Sequence, residues 1–269
     1  MAIVALHSAA TGLSALNTQL DVLANNLANV NTNGFRASRV NFQDLIYQEK
    51  KLPGVENAAG DQRPIGLYVG LGVRVAGTQL DFREGAPINT ERELDIYIEG
   101  PGLFRVQVND DRAEGGIAYT RLGAFTKNSD GEIVLANDVG RRLEPVIVVP
   151  PDATAISVTE NGEIYVQIPG EAEPQNIGQI ELAWFVNPAG LRQMGENLFA
   201  ETAASGPPLV GEPGEGGLGV TRGGLLEASN VDPTSELVNL IRTQRAFEMN
   251  SQTIRAADET LRAVSQLRS

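Results

Sequence analysis

Apolar side chains recur every seven residues through the first thirty residues of the chain, in two series that are offset by three positions. The series are Leu6, Leu13, Leu20 and Leu27, and Ala9, Leu16, Leu23 and Val30. This spacing is typical of a helix that buries one narrow stripe against another helix. Asp21 is the only formally charged residue in the first 35 positions. Because a solvated helix face normally carries many charges, we expect this helix to be covered by other protein, and Gly34 favours a stop at its end.

A second helical pattern occupies residues 233–267 at the other end of the chain. Its apolar positions seven residues apart are Leu240, Phe247, Ile254 and Leu261. Asp232 is a suitable N-cap, and Pro233 suits the first helical position, where its missing N–H costs nothing. Two helices of matched length at the two ends of the chain predict a helix pair, which is either antiparallel or parallel.

Between the helices, the pattern changes to short alternating runs separated by turn residues, which is typical of β-strands. Asp130-Gly131 and Asn161-Gly162 predict tight hairpin turns, since such turns need positive φ. We therefore predict an α+β fold in which an all-β domain is inserted between the halves of a discontinuous, coiled-coil terminal helical domain. The predicted segments are an N-terminal helix at 1–35, an extended connection at 36–80, a β-rich outer domain at 81–203, a Gly/Pro-rich return linker at 204–231 and a C-terminal helix at 232–269.

The formal net charge is −13, and nearly all of it lies in the middle of the chain. An acidic body argues against a nucleic-acid partner, because phosphate neutralisation needs clustered Lys and Arg. The chain contains no cysteine, which excludes disulfides and thiolate zinc sites. No apolar run approaches the length of a membrane span, and the first residues lack the pattern of a cleavable signal peptide. We expect a cytoplasmic protein or one that is exported by another route.

Residues that could carry chemistry are sparse, and we expect no catalytic, cofactor-binding or metal site. His7 is the only histidine and lies within the first helical pattern. Glu91, Glu93 and Asp95 form the acidic cluster on which a cell-wall hydrolase would depend, because glycosidases use paired carboxylates. A solvated face or turn is the simpler interpretation of this cluster. A β-rich surface-binding module is the other alternative from a different functional class, and neither alternative explains why the chain ends are the most strongly patterned parts.

Four segments along the chain carry motifs of one protein family. The segment ANNLANVNTNGF at 24–35 and the segment at 227–254 resemble the N-terminal and C-terminal signatures of the rod and hook family of axial proteins of the bacterial flagellum. The segments at 98–106 and 118–125 also resemble family segments, so the resemblance covers nearly the whole chain. At 121–125 the sequence RLGAF departs from the family's common Arg-Asp-Gly-Ser-Phe, which affects one turn in the β domain.

Within the family, the chain length is that of a rod subunit rather than of the longer hook proteins. The stretches at 42–54 and 66–75 are similar to a segment that distal rod members carry after the first helix. Proximal rod and hook members remain the alternatives.

The resemblance implies a structural subunit, not an enzyme, which assembles into a helical tube that spans the periplasm. The tube would transmit torque and conduct exported subunits, and the subunits would leave the cytoplasm through the flagellar type III apparatus. The implied partners are other copies of the chain, the proximal rod and hook proteins, and the surrounding rings. No cofactor or small-molecule substrate is implied.

The expected assembly interface consists of apolar seam residues and asparagines in the two helices. These are Leu13, Leu16, Leu20, Leu23, Leu27, Asn25, Asn26, Asn29, Leu240, Phe247, Ile254 and Leu261. We expect the leucines to pack against the C-terminal series, within one subunit or between neighbours, and the asparagines to bond to adjacent subunits. The alternatives are that the same stripes close one globular monomer and that the asparagines have ordinary capping or surface roles.

Overall fold

The computed structural model describes residues 2–54, 64–109, 113–170 and 173–266. The chain is α+β, with a helix at each end and a large β region between them. It divides into two compact units: a helical unit, formed by residues 1–28, 38–80 and 232–269, and a β unit, formed by residues 29–37 and 81–231. Among the described residues, no helix combines the length and hydrophobicity that a membrane span requires.

The helical unit contains the two long helices and four strands. Its elements are α1 (Ala2–Ala28), β1 (Ser38–Asp44), β2 (Tyr47–Lys51), β3 (Leu67–Gly70), β4 (Val73–Leu80) and α2 (Pro233–Gln266). Strand β1 pairs antiparallel with β4 from Ser38↔Leu80 to Asp44↔Val73, and β2 pairs antiparallel with β3. These strands form a two-stranded ribbon, and β1 and β4 both contact α1.

The ribbon replaces the extended connection that was predicted at 36–80. Strands β3 and β4 lie where the sequence alternates, but β1 and β2 contain mostly polar or exposed residues, so their periodicity is weak. Residues 55–63 of the predicted connection lie outside the described residues.

The two helix boundaries differ in how well the sequence predicted them. Helix α1 ends at Ala28, not near residue 35, and Thr32 N–H already donates to Asn29 O at 3.1 Å in the turn that follows. Gly34 does adopt positive φ (68°), but six residues beyond the helix. At the start of α2 the prediction is confirmed, since Asp232 Oδ1 accepts from Thr234 N–H at 3.0 Å and Pro233 is the first helical residue.

The β unit contains short strands from Pro87 to Glu227, with 3₁₀ turns at Glu114–Gly116 and Pro188–Gly190. The strands are β5 (Pro87–Asn89), β6 (Ile96–Glu99), β7 (Leu103–Gln107), β8 (Ile117–Thr120), β9 (Phe125–Lys127), β10 (Ile133–Leu135), β11 (Ala155–Val158), β12 (Glu163–Gln167), β13 (Gln175–Gln179), β14 (Leu182–Trp184), β15 (Arg192–Gly195), β16 (Leu198–Ala200), β17 (Leu209–Gly211), β18 (Val220–Gly223) and β19 (Leu225–Glu227).

Antiparallel pairing organises these strands into several sheets. The largest has six strands in the order β15-β16-β8-β7-β14-β17, and a three-stranded sheet has the order β11-β12-β13. Asp130-Gly131 and Asn161-Gly162 do lie in turns between paired antiparallel strands, as predicted, although positive φ (80°) is adopted by Gly131 and Gly162 and not by Asp130 or Asn161. The core is apolar and continuous, and Phe104 and Phe125 pack edge-to-face at its centre with ring centroids 5.2 Å apart.

Residues 204–231, predicted as a return linker, belong to the β unit. They contribute β17, β18 and β19, which pair with β14, β6 and β5 respectively. Each of these strands has only three or four residues between Gly- and Pro-rich turns, so no period can be recognised in the sequence.

A buried ionic cluster joins distant segments inside the β unit. The Glu227 carboxylate contacts Arg36 Nη1 at 2.7 Å and Arg121 Nε at 2.5 Å, and all three side chains are only 2% exposed. Glu227 Oε1 also accepts from Gly85 N–H at 2.7 Å. Arg121 also donates from Nη1 to the carbonyls of Gly100 and Gly102 and from Nη2 to the carbonyl of Ile98.

Replacing Glu227 by Gln should therefore destabilise the β unit strongly. The substitution removes the carboxylate charge that contacts two buried guanidinium groups, and breaking a buried pair in this way costs about 3–5 kcal/mol. Glu99→Gln is the matched control: Glu99 pairs with Arg222 at 2.6 Å, but both side chains are about half exposed, so its loss should cost less than about 1 kcal/mol. Urea unfolding of the two variants measures this difference, and equal stabilities would contradict the importance of the cluster.

Candidate assembly interface

Two contacts define how the terminal helices pair. A Cβ placed on Gly12 would lie 2.9 Å from Asn250 Nδ2, and Asn26 Nδ2 donates to Glu236 Oε1 at 3.5 Å. The two contacts are fourteen residues apart on each helix and run in opposite chain directions, so α1 and α2 are antiparallel. In both contacts the residue numbers sum to 262, which predicts the residues that lie opposite one another elsewhere along the pair.

The line of α1 that faces α2 contains small or polar residues. With 3.6 residues per turn, Ser8, Gly12 and Ala15 follow this line, opposite Ile254, Asn250 and Phe247. Ala15 is only 3% exposed. The pair is therefore close, with small side chains on α1 opposite larger ones on α2.

The side of α2 that faces α1 shows a regular burial pattern. Seven of its buried or half-buried residues recur at alternating spacings of four and three, and they are Glu236, Leu240, Thr243, Phe247, Asn250, Ile254 and Ala257. Ala246 and Ser251 are also half-buried and lie next to this line. Three of the predicted interface residues thus lie on this line, while Leu261 is 38% exposed.

The ribbon contacts α1 directly beside the line that faces α2, and Ser8 lies where the two contacts meet. Ser8 Oγ donates to Gly70 O, and Val73 N–H donates to Thr11 Oγ1, both at 3.4 Å. Gly72 allows this approach, since a Cβ on it would lie 2.1 Å from Thr11 Oγ1, and its φ of 110° also favours glycine.

The predicted leucines of α1 lie mainly beside the helix–helix contact. Leu23 is buried, whereas Leu13, Leu16, Leu20 and Leu27 are half-buried. Helical geometry places Leu13, Leu20 and Leu27 about 100° around α1 from the line that faces α2. Their role between subunits stays a prediction.

The asparagines of α1 differ in their surroundings. Asn26 is 1% exposed; its Nδ2 donates to Ser38 O at 2.8 Å, and its Oδ1 accepts from Ser38 N–H at 2.9 Å. Both ends of this amide thus have hydrogen-bond partners within its own chain, and a bond from Asn26 to an adjacent subunit stays a prediction. Asn25 is exposed and Asn29 half-buried, both with interactions inside the chain, and their contact with adjacent subunits stays a prediction.

The helical unit also exposes apolar side chains that the sequence analysis did not place at an interface. Most lie on the ribbon or next to it: Phe42, Ile46, Tyr47, Leu52, Ile65, Leu67 and Tyr68, with Ile46 and Ile65 at 77% and 80% exposure. Others lie on α2: Leu237, Val238, Ile241 and Met249. The feature of the sequence that could have indicated them as interface residues is the presence of large apolar residues in otherwise charged or polar segments.

The three carboxylates of the acidic cluster differ in exposure: Asp95 is buried, whereas Glu91 and Glu93 are exposed. Asp95 is 1% exposed, and Glu93 Oε2 accepts from Ile156 N–H at 3.1 Å. Glu91 is exposed in a turn with φ of 56°. Within the described ranges, no group of three or more His, Cys, Asp or Glu side chains could hold a metal ion.

Comparison with known families gives three matches along the chain. "Flagella basal body rod protein" matches residues 6–36, "Flagellar hook protein FlgE/F/G D1 domain" matches residues 97–166, and "Flagellar basal body rod FlgEFG protein C-terminal" matches residues 222–267. The first and last of these matches fall on the two ends that form the helix pair.

Whole-length relatives carry the same description. The chain is 42% identical to the flagellar basal-body rod protein FlgG of Caulobacter vibrioides over 98% of this chain and 99% of the relative. It is 41% identical to the protein of that name from Borreliella burgdorferi, over 98% of both chains. The corresponding protein of Bacillus subtilis is 35% identical, again over 98% of both chains.

Glu236 should make the stability of the helical unit depend on pH. Burial, and then the nearby charge of Asp232, raise the pKa of its carboxyl above the ordinary 4.5, although the bond from Asn26 opposes the shift. Because the folded-state pKa of Glu236 is raised, the favourable contribution of its protonated carboxyl to the stability of the unit is complete below pH 4.5. This contribution is lost as pH rises through the folded-state pKa. Glu236→Gln should therefore stabilise the unit at neutral pH. Thermal unfolding followed by circular dichroism should show this difference shrinking towards pH 4, and a constant difference would contradict the assignment.

Proposed function

We propose, from the premise that this chain belongs to the flagellar basal-body rod family, that it is a structural subunit of the distal rod. Matches that together reach both ends of the chain establish the family. In this proposal, many copies polymerise through their helical units into a tube that spans the periplasm, transmits torque and conducts exported subunits.

The observation that carries the proposal is the large apolar surface that the helical unit exposes in a single subunit. Ile46 and Ile65 are both more than three-quarters exposed, on a ribbon of only two strands. Two-stranded ribbons are marginally stable alone in water, and extended apolar patches mark interaction sites. Covering by neighbouring copies would remove this surface from water and stabilise the ribbon.

The helices support a finer proposal, a coiled-coil inner layer. Seven buried or half-buried positions of α2 alternate between spacings of four and three, the spacing of positions a and d in heptads. On α1, the half-buried leucines form a second stripe beside this contact, and they are available to the helices of adjacent copies. Because such a contact joins different surfaces of identical copies without closing, it generates a helical polymer.

The distal rod is favoured over a proximal rod or hook position by the relatives. Proteins named FlgG match over nearly the full chain at 41–43% identity, including the ribbon. The stretches that suggested a distal rod member, at 42–54 and 66–75, coincide with ribbon strands β2 to β4 and the end of β1. The ribbon is thus the part of the helical unit that would distinguish distal rod contacts.

We propose the flagellar basal body as the location, and other axial proteins as the partners at the two ends of the tube. The acidic residues of the middle of the chain would be presented to the surrounding rings. The hydrolase alternative is not favoured, because burial of Asp95 leaves it unable to reach a polymeric substrate.

Leu20→Asp and Ile46→Asp should each impair polymerisation of the full chain. A charge in either apolar patch must be desolvated on assembly, so the critical concentration should rise about tenfold or more, which corresponds to about 1.4 kcal/mol per subunit. Electron microscopy and sedimentation of the concentrated chain measure tube formation, and unchanged near-ultraviolet circular dichroism would show that the β unit is intact.

Val186→Asp supplies the matched control for both variants. Val186 is 81% exposed but belongs to the β unit, so the same substitution should leave the critical concentration within about twofold of the unsubstituted chain. Normal tubes from both Leu20→Asp and Ile46→Asp would overturn the proposal that the helical unit forms the interface.

A further inference from the structure

The apolar pattern of the two helices does not by itself fix their register. Apolar residues recur every seven positions on both helices, so a slip of seven residues places apolar side chains opposite apolar ones again. For example, a slip would place Leu240 or Ile254 opposite Ala15 in place of Phe247. Such a slip moves one helix by about 10 Å along the other. A polymer of identical subunits requires one register, so a further feature must select it.

The first such feature is a polar layer near the end of α1. Asn26 is buried and donates to the Glu236 carboxylate, while its other hydrogen bonds hold it to Ser38 of the ribbon. Glu236 Oε2 is also buried and has no hydrogen-bond partner. The Glu236 carboxylate therefore depends on the hydrogen bond from Asn26, and a slipped register would break that bond. A slip in one direction moves Glu236 beyond the end of α1, and a slip in the other moves it to Gln19, away from the fixed amide of Asn26.

The second feature is a steric layer fourteen residues away. The Asn250 side chain lies against Gly12, where any Cβ would approach its Nδ2 to 2.9 Å. Gly12 is the only glycine in α1. In either slipped register, Asn250 would face Ala5 or Gln19, each of which carries a Cβ in the space that Asn250 occupies.

We infer that the Asn26–Glu236 and Gly12–Asn250 layers determine the register of the terminal helix pair. The inference deepens the proposed function, since one register would give every subunit the same surface for assembly. Polar residues inside an otherwise apolar helix contact specify register in this way because mispairing leaves buried groups without partners.

Cysteine cross-linking tests the inference directly, because the natural chain contains no cysteine. Three double-cysteine reporters combine Ser8→Cys with Ile254→Cys for the observed register, or with Phe247→Cys or Leu261→Cys for the two slipped registers. Each reporter is oxidised in the full-length chain below its polymerisation concentration. Intramolecular disulfides are then counted by mass spectrometry, so the measurement does not depend on tube formation.

With both layers unsubstituted, the yield of intramolecular disulfide should be higher for the Ser8/Ile254 reporter than for either slipped reporter by about tenfold or more. This is the factor expected for one buried hydrogen bond. In a chain with Glu236→Leu and Asn250→Ala, this preference should fall to within about threefold. Both substitutions lie on α2 and leave the bonds between Asn26 and the ribbon in place. Glu236→Leu alone should give an intermediate preference, and it provides the test should the double variant lose helix content by circular dichroism.

A chain with Thr243→Leu and Ser251→Ala is the matched control. Both residues are at least partly buried polar residues of α2 outside the two layers, and Thr243 bonds to Asn239 O within its own helix at 2.8 Å. This control should keep the full preference for the observed register. The inference would be overturned if the Glu236→Leu chains kept the full preference for the observed register, or if the control lost that preference equally. It would also be overturned if the Ser8/Ile254 reporter failed to cross-link in a chain with both layers unsubstituted. Absence of tubes would count against the proposed function alone.

Discussion

Pairing of α1 with α2 is the contact on which the helical unit depends, and it joins segments separated by more than 200 residues. The antiparallel arrangement places the start of α1 and the end of α2 at the same end of the pair. Small residues on α1 allow a close approach, and the ribbon contacts α1 directly beside this contact. Long helices gain most of their stability from tertiary packing rather than from intrinsic propensity. The surface that remains apolar after this packing is the surface that we propose for assembly.

The β unit fixes the segments that lead towards the two helices. Arg36 follows the end of α1 by eight residues, and Glu227 precedes α2 by six. Their buried contact, completed by Arg121, ties these segments together inside the unit at 2.7 Å and 2.5 Å. A buried ionic cluster contributes little net stability when complete but is costly to break, so it holds the two segments in one arrangement.

Local signals predicted the parts of the fold that local physics determines. The cap at Asp232, the helix start at Pro233 and the turns at Gly131 and Gly162 follow from backbone conformation and were predicted. Strands β1 and β2 of the ribbon and the strands after residue 204 were missed because each depends on a distant partner and is too short or too polar to show a period. In the candidate interface, seven-residue spacing found the leucines of α1. It could not show that Gly12 and Ala15 face α2, because helix contacts select small residues by close approach rather than by hydrophobicity alone.

The most direct test is a cryo-electron microscopy structure of the polymer formed by the full chain. We predict that the helical units form the subunit contacts, with Leu13, Leu20 and Ile46 buried against neighbouring copies and with the α1–α2 register kept as Asn26 opposite Glu236. Subunits joined only through their β units, with these three side chains still accessible to solvent, would contradict this prediction.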